Sequence, residues 1–174
     1  MSIVCCKIDD GIIEIASDSI TVRGYTQSKG KEGGVSKLLN VNGMFIGGVG
    51  TCEETSLLQI FSQTRKPKAA TEDDMLIFIS EFADWKNKKT TTYKLENSYM
   101  FVYGGKAFMV EGFYISEIKT FQAIGAGMDF ALAALFLGES AEKAVETACE
   151  LSIYCELPVV RYRINISKEK ILED

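Results

Sequence analysis

Not one of the 174 residues is histidine. A Ser-His-Asp or Cys-His enzyme is thereby excluded, because both take their general base from an imidazole. A zinc site also loses its usual nitrogen ligand. Any acyl-transfer chemistry must find its base elsewhere. Positive charge is not in excess either, with 19 Lys and Arg against 24 Asp and Glu, a formal net charge of −5 and a pI near 5.0. Neither nucleic acid nor an anionic membrane is therefore expected as the principal partner. No apolar run approaches the length that spans a bilayer. The opening Met-Ser-Ile-Val-Cys-Cys-Lys lacks the basic and long apolar regions of a secretion signal. A cytoplasmic location is the expectation. Phosphate-loop spacings are missing too: the glycines of Ile46-Gly47-Gly48-Val49-Gly50 fit neither G-x-x-x-x-G-K-[ST] nor G-x-G-x-x-G.

What is there is ordinary for a folded chain, with 47% hydrophobic and 25% charged residues. Residues 1–174 are expected to form one domain with a substantial core. The five cysteines are odd in number and show no C-x-x-C spacing. They read as reduced, mostly buried thiols, with Cys5 and Cys6 on opposite faces of one strand. No metal and no cofactor are expected.

Strand signals fill the first third. Residues 3–8 and 12–16 flank the turn Asp9-Asp10-Gly11, and residues 35–41 and 44–49 flank Asn42-Gly43. The glycine-rich stretch 24–34 reads as a loop. Thr51 with Glu54 is a capping-box pattern opening a helix that ends near Arg65, Lys66, Pro67 and Lys68. Thr71 with Asp74 opens a second helix carrying Met75, Phe78, Ile79, Phe82 and Trp85, and 86–94 reads as a polar linker. Strands return at 99–103, 107–111 and 113–118. An apolar segment, 129–137, reads as a buried helix closed by Gly138, and Ser140 caps a last helix. Pro158 marks its exit, 159–166 is a final strand, and 167–174 is expected to fray. Segregated runs of strands and helices indicate an α+β fold. Two antiparallel sheets packed face to face with helices outside, a four-layer αββα sandwich, accommodate the count.

Ser2 stands directly behind the initiator methionine. Removal of Met1 would put a hydroxyl and a free α-amine on one residue, a nucleophile carrying its own base. The amine's ordinary pKa, about 7.7–8.0, leaves it substantially neutral near pH 7. Asp18 ends the second strand of a hairpin that returns to the Ser2 end, either as a turn aspartate or as the partner of a lysine. Lys37 lies on a predicted strand sharing a face with Leu39 and Val41, either an edge lysine or a cation that lowers the pKa of a nearby hydroxyl and amine. Gly48 lies where a strand meets the capped helix, and glycine there permits the close approach that an oxyanion-binding N–H requires.

The run from Ser2 to Asp18, Lys37-Leu38-Leu39-Asn40-Val41, Ile46-Gly47-Gly48 and Ala123-Ile124-Gly125-Ala126-Gly127 together resemble a proteasome β-subunit or its bacterial relative, the HslV ring peptidase. These belong to the N-terminal nucleophile hydrolases, and the similarity covers nearly the whole chain. It implies the αββα sandwich, a homo-oligomeric ring enclosing a chamber, and hydrolysis of peptides or unfolded proteins that an ATP-dependent unfoldase delivers. It further implies Ser2 as nucleophile, Asp18 as acidic partner, Lys37 as activating lysine and Gly48 as oxyanion-hole backbone. The departures are serine in place of the usual threonine, an insertion within 24–34, and Ala126, Ser152 and Cys155 where the family carries supporting polar groups. Those three keep open a catalytically impaired structural homologue. A small-substrate amidase of the same fold is the third possibility.

Overall fold

The computed structural model describes residues 2–28, 36–167 and 170–171. Among them β1 (Ile3–Asp9) and β2 (Ile12–Ser17) form the first hairpin, followed by β3 (Thr21–Arg23) and β4 (Thr26–Ser28). Next come β5 (Leu38–Val41), β6 (Met44–Val49), α1 (Cys52–Ser62) and α2 (Glu72–Thr90). Four strands follow, β7 (Ser98–Tyr103), β8 (Lys106–Glu111), β9 (Tyr114–Ile118) and β10 (Phe121–Gly125). Helices α3 (Met128–Phe136) and α4 (Ala141–Leu151) then precede β11 (Val160–Asn165) and β12 (Lys170–Ile171). The fold is α+β, with antiparallel sheets in the orders β10-β1-β2-β11-β12 and β5-β6-β7-β8-β9, and β3-β4 as a separate ribbon.

Alternation along the strands sorts side chains into three cores. Val4, Cys6, Ile13, Ile15 and Ile164 of the first sheet pack with Leu38, Phe45, Met100 and Val102 of the second. On the second sheet's other side, Ile46, Tyr99, Phe101 and Phe108 meet Leu58, Phe61, Phe78 and Phe82 of α1 and α2. Within that core the rings of Phe61 and Phe78 lie 5.4 Å apart, a contact contributing about 0.5–1.5 kcal/mol beyond simple burial. Ile3, Cys5, Ala16 and Ala123 of the first sheet meet Ala131, Leu135, Ala144 and Ala148 of α3 and α4. The hairpin turn at Asn42-Gly43 has positive φ at both residues, 51° and 77°, as the type I′ geometry demands.

Several sequence expectations need correction. The stretch 86–94 is not all linker, because α2 continues to Thr90. Lys86 faces inward at 4% exposure and pairs with buried Glu54, which offsets the cost of burying an ammonium. The helix read as buried over 129–137 is present, yet only Ala131, Ala134 and Leu135 are buried, and Phe136 and Leu137 are about 80% exposed. A segment apolar but for Asp129 hides which face meets the protein, and here only one does. Part of the glycine-rich stretch is strand β4, whereas 29–35 lies outside the described residues. Strand β5 starts at Leu38, leaving Lys37 just before it. Strand β10 was not read from the sequence at all. Of the segment expected to fray, 170–171 pairs with the end of β11, and 168–169 and 172–174 lie outside the described residues.

Candidate active site

The first hairpin builds the site. Val4 pairs with Ser17, so the next residue, Asp18, arrives beside Ile3 and donates its N–H to the Ile3 carbonyl at 3.3 Å. Asp18 is 1% exposed, and a carboxylate so placed needs partners on both oxygens. Its Oδ1 accepts from the Ile3 N–H at 2.9 Å and from Lys37 Nζ at 2.5 Å. Its Oδ2 accepts from the Ile20 N–H at 3.3 Å and the Glu156 N–H at 3.2 Å. One side chain thus ties together the start of β1, the turn after β2, the entry to β5 and the loop between α4 and β11.

Lys37 is a desolvated cation that, among the described residues, pairs with one carboxylate. Its side chain is 9% exposed, and Asp18 balances it. Burial pulls its ammonium below the usual 10.5, while the charge and hydrogen bond of Asp18 oppose that pull. Lys37 therefore sheds a proton more readily than a surface lysine, and Asp18 beside it favours the charged form.

Ser2 is 5% exposed and held through its backbone. Its carbonyl accepts from the Gly127 N–H at 3.3 Å, and β1 pairs Ile3 with Gly125. At Gly125 φ is +103°, and a Cβ there would stand 2.4 Å from the Ser2 carbonyl oxygen. Only glycine allows β10 to approach this closely. Gly125→Ala is expected to lower the unfolding free energy by about 2 kcal/mol or more through left-handed strain plus backbone collision, read by urea denaturation. An unchanged midpoint would contradict the close approach.

Ser2, Lys37 and Gly48 line one cavity of about 150 Å³, together with Ile20, Thr21, Val22, Ser36, Gly50, Thr51, Cys52 and Thr55. Asp18 lies behind it, joined to Lys37. The structure thus brings all four predicted residues together, but Gly48 differs in detail from expectation. Its N–H donates to the Lys37 carbonyl at 3.0 Å, a last rung between β5 and β6, rather than pointing into the cavity. A buried N–H takes the carbonyl nearest to it.

The three departures surround this centre. Ala126 is exposed at the tip of the Gly125–Gly127 turn. Ser152 accepts from the Tyr154 N–H at 3.2 Å, and its carbonyl accepts from the Cys155 N–H at 3.2 Å. Cys155 packs its sulfur against Gly127, where a Cβ would come within 2.6 Å of it. Burial, with Asp18 adding to it, pushes the Cys155 thiol pKa up, so it stays protonated and adds no charge to the site.

The capping box at α1 is half formed. Thr51 Oγ1 accepts from the Glu54 N–H at 3.4 Å, but the Thr51 N–H goes to Asn97 Oδ1, and the Glu54 carboxylate turns inward instead. Sequence inspection missed Asn97, Glu54 and Lys86 as a group. The available signal was a lysine set directly beside Trp85 on an aromatic helix face.

Comparison of the sequence with models of known protein families gives no match, and comparison with curated proteins gives none. Solved structures do match. BPH of Thiobacillus denitrificans, solved alone and in complex with epoxomicin, is 18% identical with a TM-score of 0.85, over 94% of this chain and 98% of that one. Eukaryotic HslV of Trypanosoma brucei is 17% identical with a TM-score of 0.71, over 94% of this chain and 99% of that one. A likeness at this identity over nearly the whole of both chains establishes architecture, and by that measure this chain has an HslV/proteasome-like fold.

Proposed function

We propose that this chain is a peptidase subunit of the N-terminal nucleophile type, with Ser2 as its nucleophile after Met1 is removed. The observation that carries the reading is the buried Asp18–Lys37 pair, in which Asp18 accepts from the N–H of Ile3, next to Ser2, and Lys37 lines the same cavity as Ser2. Ser2 Oγ attacks the substrate carbonyl, and its own α-amine takes the hydroxyl proton and passes it to the leaving amine. The ester that remains on Ser2 is hydrolysed by water, and the same amine acts as base. Lys37, charged and balanced by Asp18, favours the neutral amine and the developing alkoxide. For Gly48 to serve as oxyanion donor its N–H would have to leave the Lys37 carbonyl that now holds it. The three packed cores support a four-layer αββα order.

Assembly into a ring that encloses the cavity, in the cytoplasm and fed by an ATP-dependent unfoldase, belongs to the same proposal. The exposed apolar end of α3 supports self-association, since Phe136 and Leu137 are both about 80% exposed to water. The double variant Phe136→Asp, Leu137→Asp is expected to shift the particle mass towards the monomer, read by light scattering. An unchanged mass would remove this face from the assembly.

A second reading, a ring-forming homologue without turnover, is favoured by the engaged Gly48 N–H and by Ala126. Intact-mass spectrometry with epoxomicin separates the two, because an epoxyketone needs a hydroxyl and a free amine on one N-terminal residue. Loss of Met1 and one adduct on Ser2 is the expected result. Retained Met1 excludes the proposed centre, and loss of Met1 without an adduct favours the homologue without turnover.

A further inference from the structure

The proposed base exists only after the Met1–Ser2 amide is hydrolysed, because an amide nitrogen donates a hydrogen bond and accepts no proton. The fold closes over the place where that must happen. Ser2 is 5% exposed, and Ile3, Val4, Cys5 and Cys6 after it are fully buried. Strand β1 is not an edge that can peel away, since it lies between β10 and β2. Its first peptide groups are held from both sides. The Ser2 carbonyl accepts from the Gly127 N–H at 3.3 Å, and the Ile3 carbonyl accepts from the Asp18 N–H at 3.3 Å. The Ile3 N–H donates to Asp18 Oδ1 at 2.9 Å.

Packing removes the remaining approaches. Ile3 belongs to the core shared with α3 and α4, and a Cβ at Gly127 would stand 3.3 Å from the Ile3 Cβ. Val4 faces the other way, into the core between the two sheets. An aminopeptidase takes the scissile bond and the residues beside it into a cleft of its own, where most of that segment is enclosed. Ser2 and Ile3 cannot enter such a cleft while β10, β2 and the helical layer enclose them. Freeing them parts β1 from both neighbours and exposes two cores at once, an opening close to global unfolding.

We propose that Met1 is removed before β10 and the Gly125–Gly127 turn close on β1, so that an N-terminal exopeptidase acting on the emerging or unfolded chain, and not on the folded subunit, produces the nucleophile; this rests on the peptidase reading above. Water adds across the Met1–Ser2 amide, methionine leaves as the free amino acid, and Ser2 keeps the nitrogen as its amine. The closing elements are made late. At about 5–20 residues per second, residue 127 follows residue 2 by about 6–25 s, and the start of the chain is open to the exopeptidase for that time. A chain that folds first keeps both its fold and Met1, and so has the cavity without the base. The share of active subunits is thereby fixed before folding ends.

The test follows Met1 by intact mass in the full chain, made with the host aminopeptidase inhibited and then folded. Purified methionine aminopeptidase is added together with a synthetic peptide of residues 1–10, a strand without partners, as internal reference. Cleavage that waits on opening follows the open population, about 10⁻³ or less in a stable domain. The folded chain should therefore lose Met1 at least about 1,000-fold more slowly than the peptide. Gly125→Ala, which loosens β10 against β1, should lose it about 30-fold faster than the wild type, the factor that matches its expected loss of stability. Should that variant fail to fold, the wild-type comparison stands alone. A difference from the peptide of less than about 100-fold, or loss of Met1 with no enzyme added, would overturn the proposal and leave Ser2 as nucleophile. No epoxomicin adduct on chain that has lost Met1 would overturn the nucleophile itself, whatever the trimming rates.

Discussion

Lys37→Met is expected to slow acylation of Ser2 by at least about 100-fold while leaving the particle mass unchanged. Methionine fills the lysine's volume and cannot carry charge, so the variant isolates the electrostatic contribution from packing. The pH profile gives the sharper test. In the wild type the rate should rise as the Ser2 amine loses its proton, a step that the charge of Lys37 favours. It should fall again on an alkaline limb below 10.5, as Lys37, its pKa lowered by burial, deprotonates. Lys37→Met should lack that limb. The stability effect of the same group has the opposite sign. With the folded pKa below 10.5, the unfolded chain binds more protons between the two values, so stability rises with pH across that window. The penalty for burying the charge is fully present below the folded value. A Lys37→Met protein with wild-type rate and profile would remove the role given to Lys37.

Asp18→Ala carries the largest expected stability effect. It strands the Lys37 ammonium and leaves the Ile3, Ile20 and Glu156 N–H groups without their acceptor. Breaking a buried pair from one side costs about 3–5 kcal/mol, because the remaining charge stays desolvated. Urea denaturation should show a loss of that size, together with loss of Ser2 labelling. Asp18→Asn retains one oxygen acceptor in the same volume, so it should recover part of the stability without recovering the labelling. Equal losses in both variants would mean that charge, rather than hydrogen-bond acceptance, dominates at this position.

These expectations draw unequally on sequence and structure. The first hairpin was legible because Asp9-Asp10-Gly11 punctuates two β-branched runs, and the length of those runs returns Asp18 to the Ser2 end. The Asn42-Gly43 turn and the N-caps at Thr51, Thr71 and Ser140 were equally local and equally readable. Pattern failed where the outcome depends on what lies opposite. Helix α3 is apolar except for Asp129, so its composition could not say that Phe136 and Leu137 face water. The charged run beginning at Lys86 looked like a linker because lysines usually end helices, and nothing local indicated that Lys86 turns inward to Glu54, 32 positions earlier (86 − 54).

By itself, then, the sequence determined the α+β class, the order of the elements other than β3, β4, β10 and β12, and the exclusion of histidine chemistry. Each follows from local spacing, turn chemistry or composition, which act over a few residues. Only the tertiary structure decided that Asp18 takes four donors from four segments, that the Gly48 N–H is engaged by Lys37, and that Asn97 stands behind the cavity wall. Those are contacts between residues far apart in the chain. Their cost in desolvation and their gain in hydrogen bonding exist only once the sheets have closed on each other.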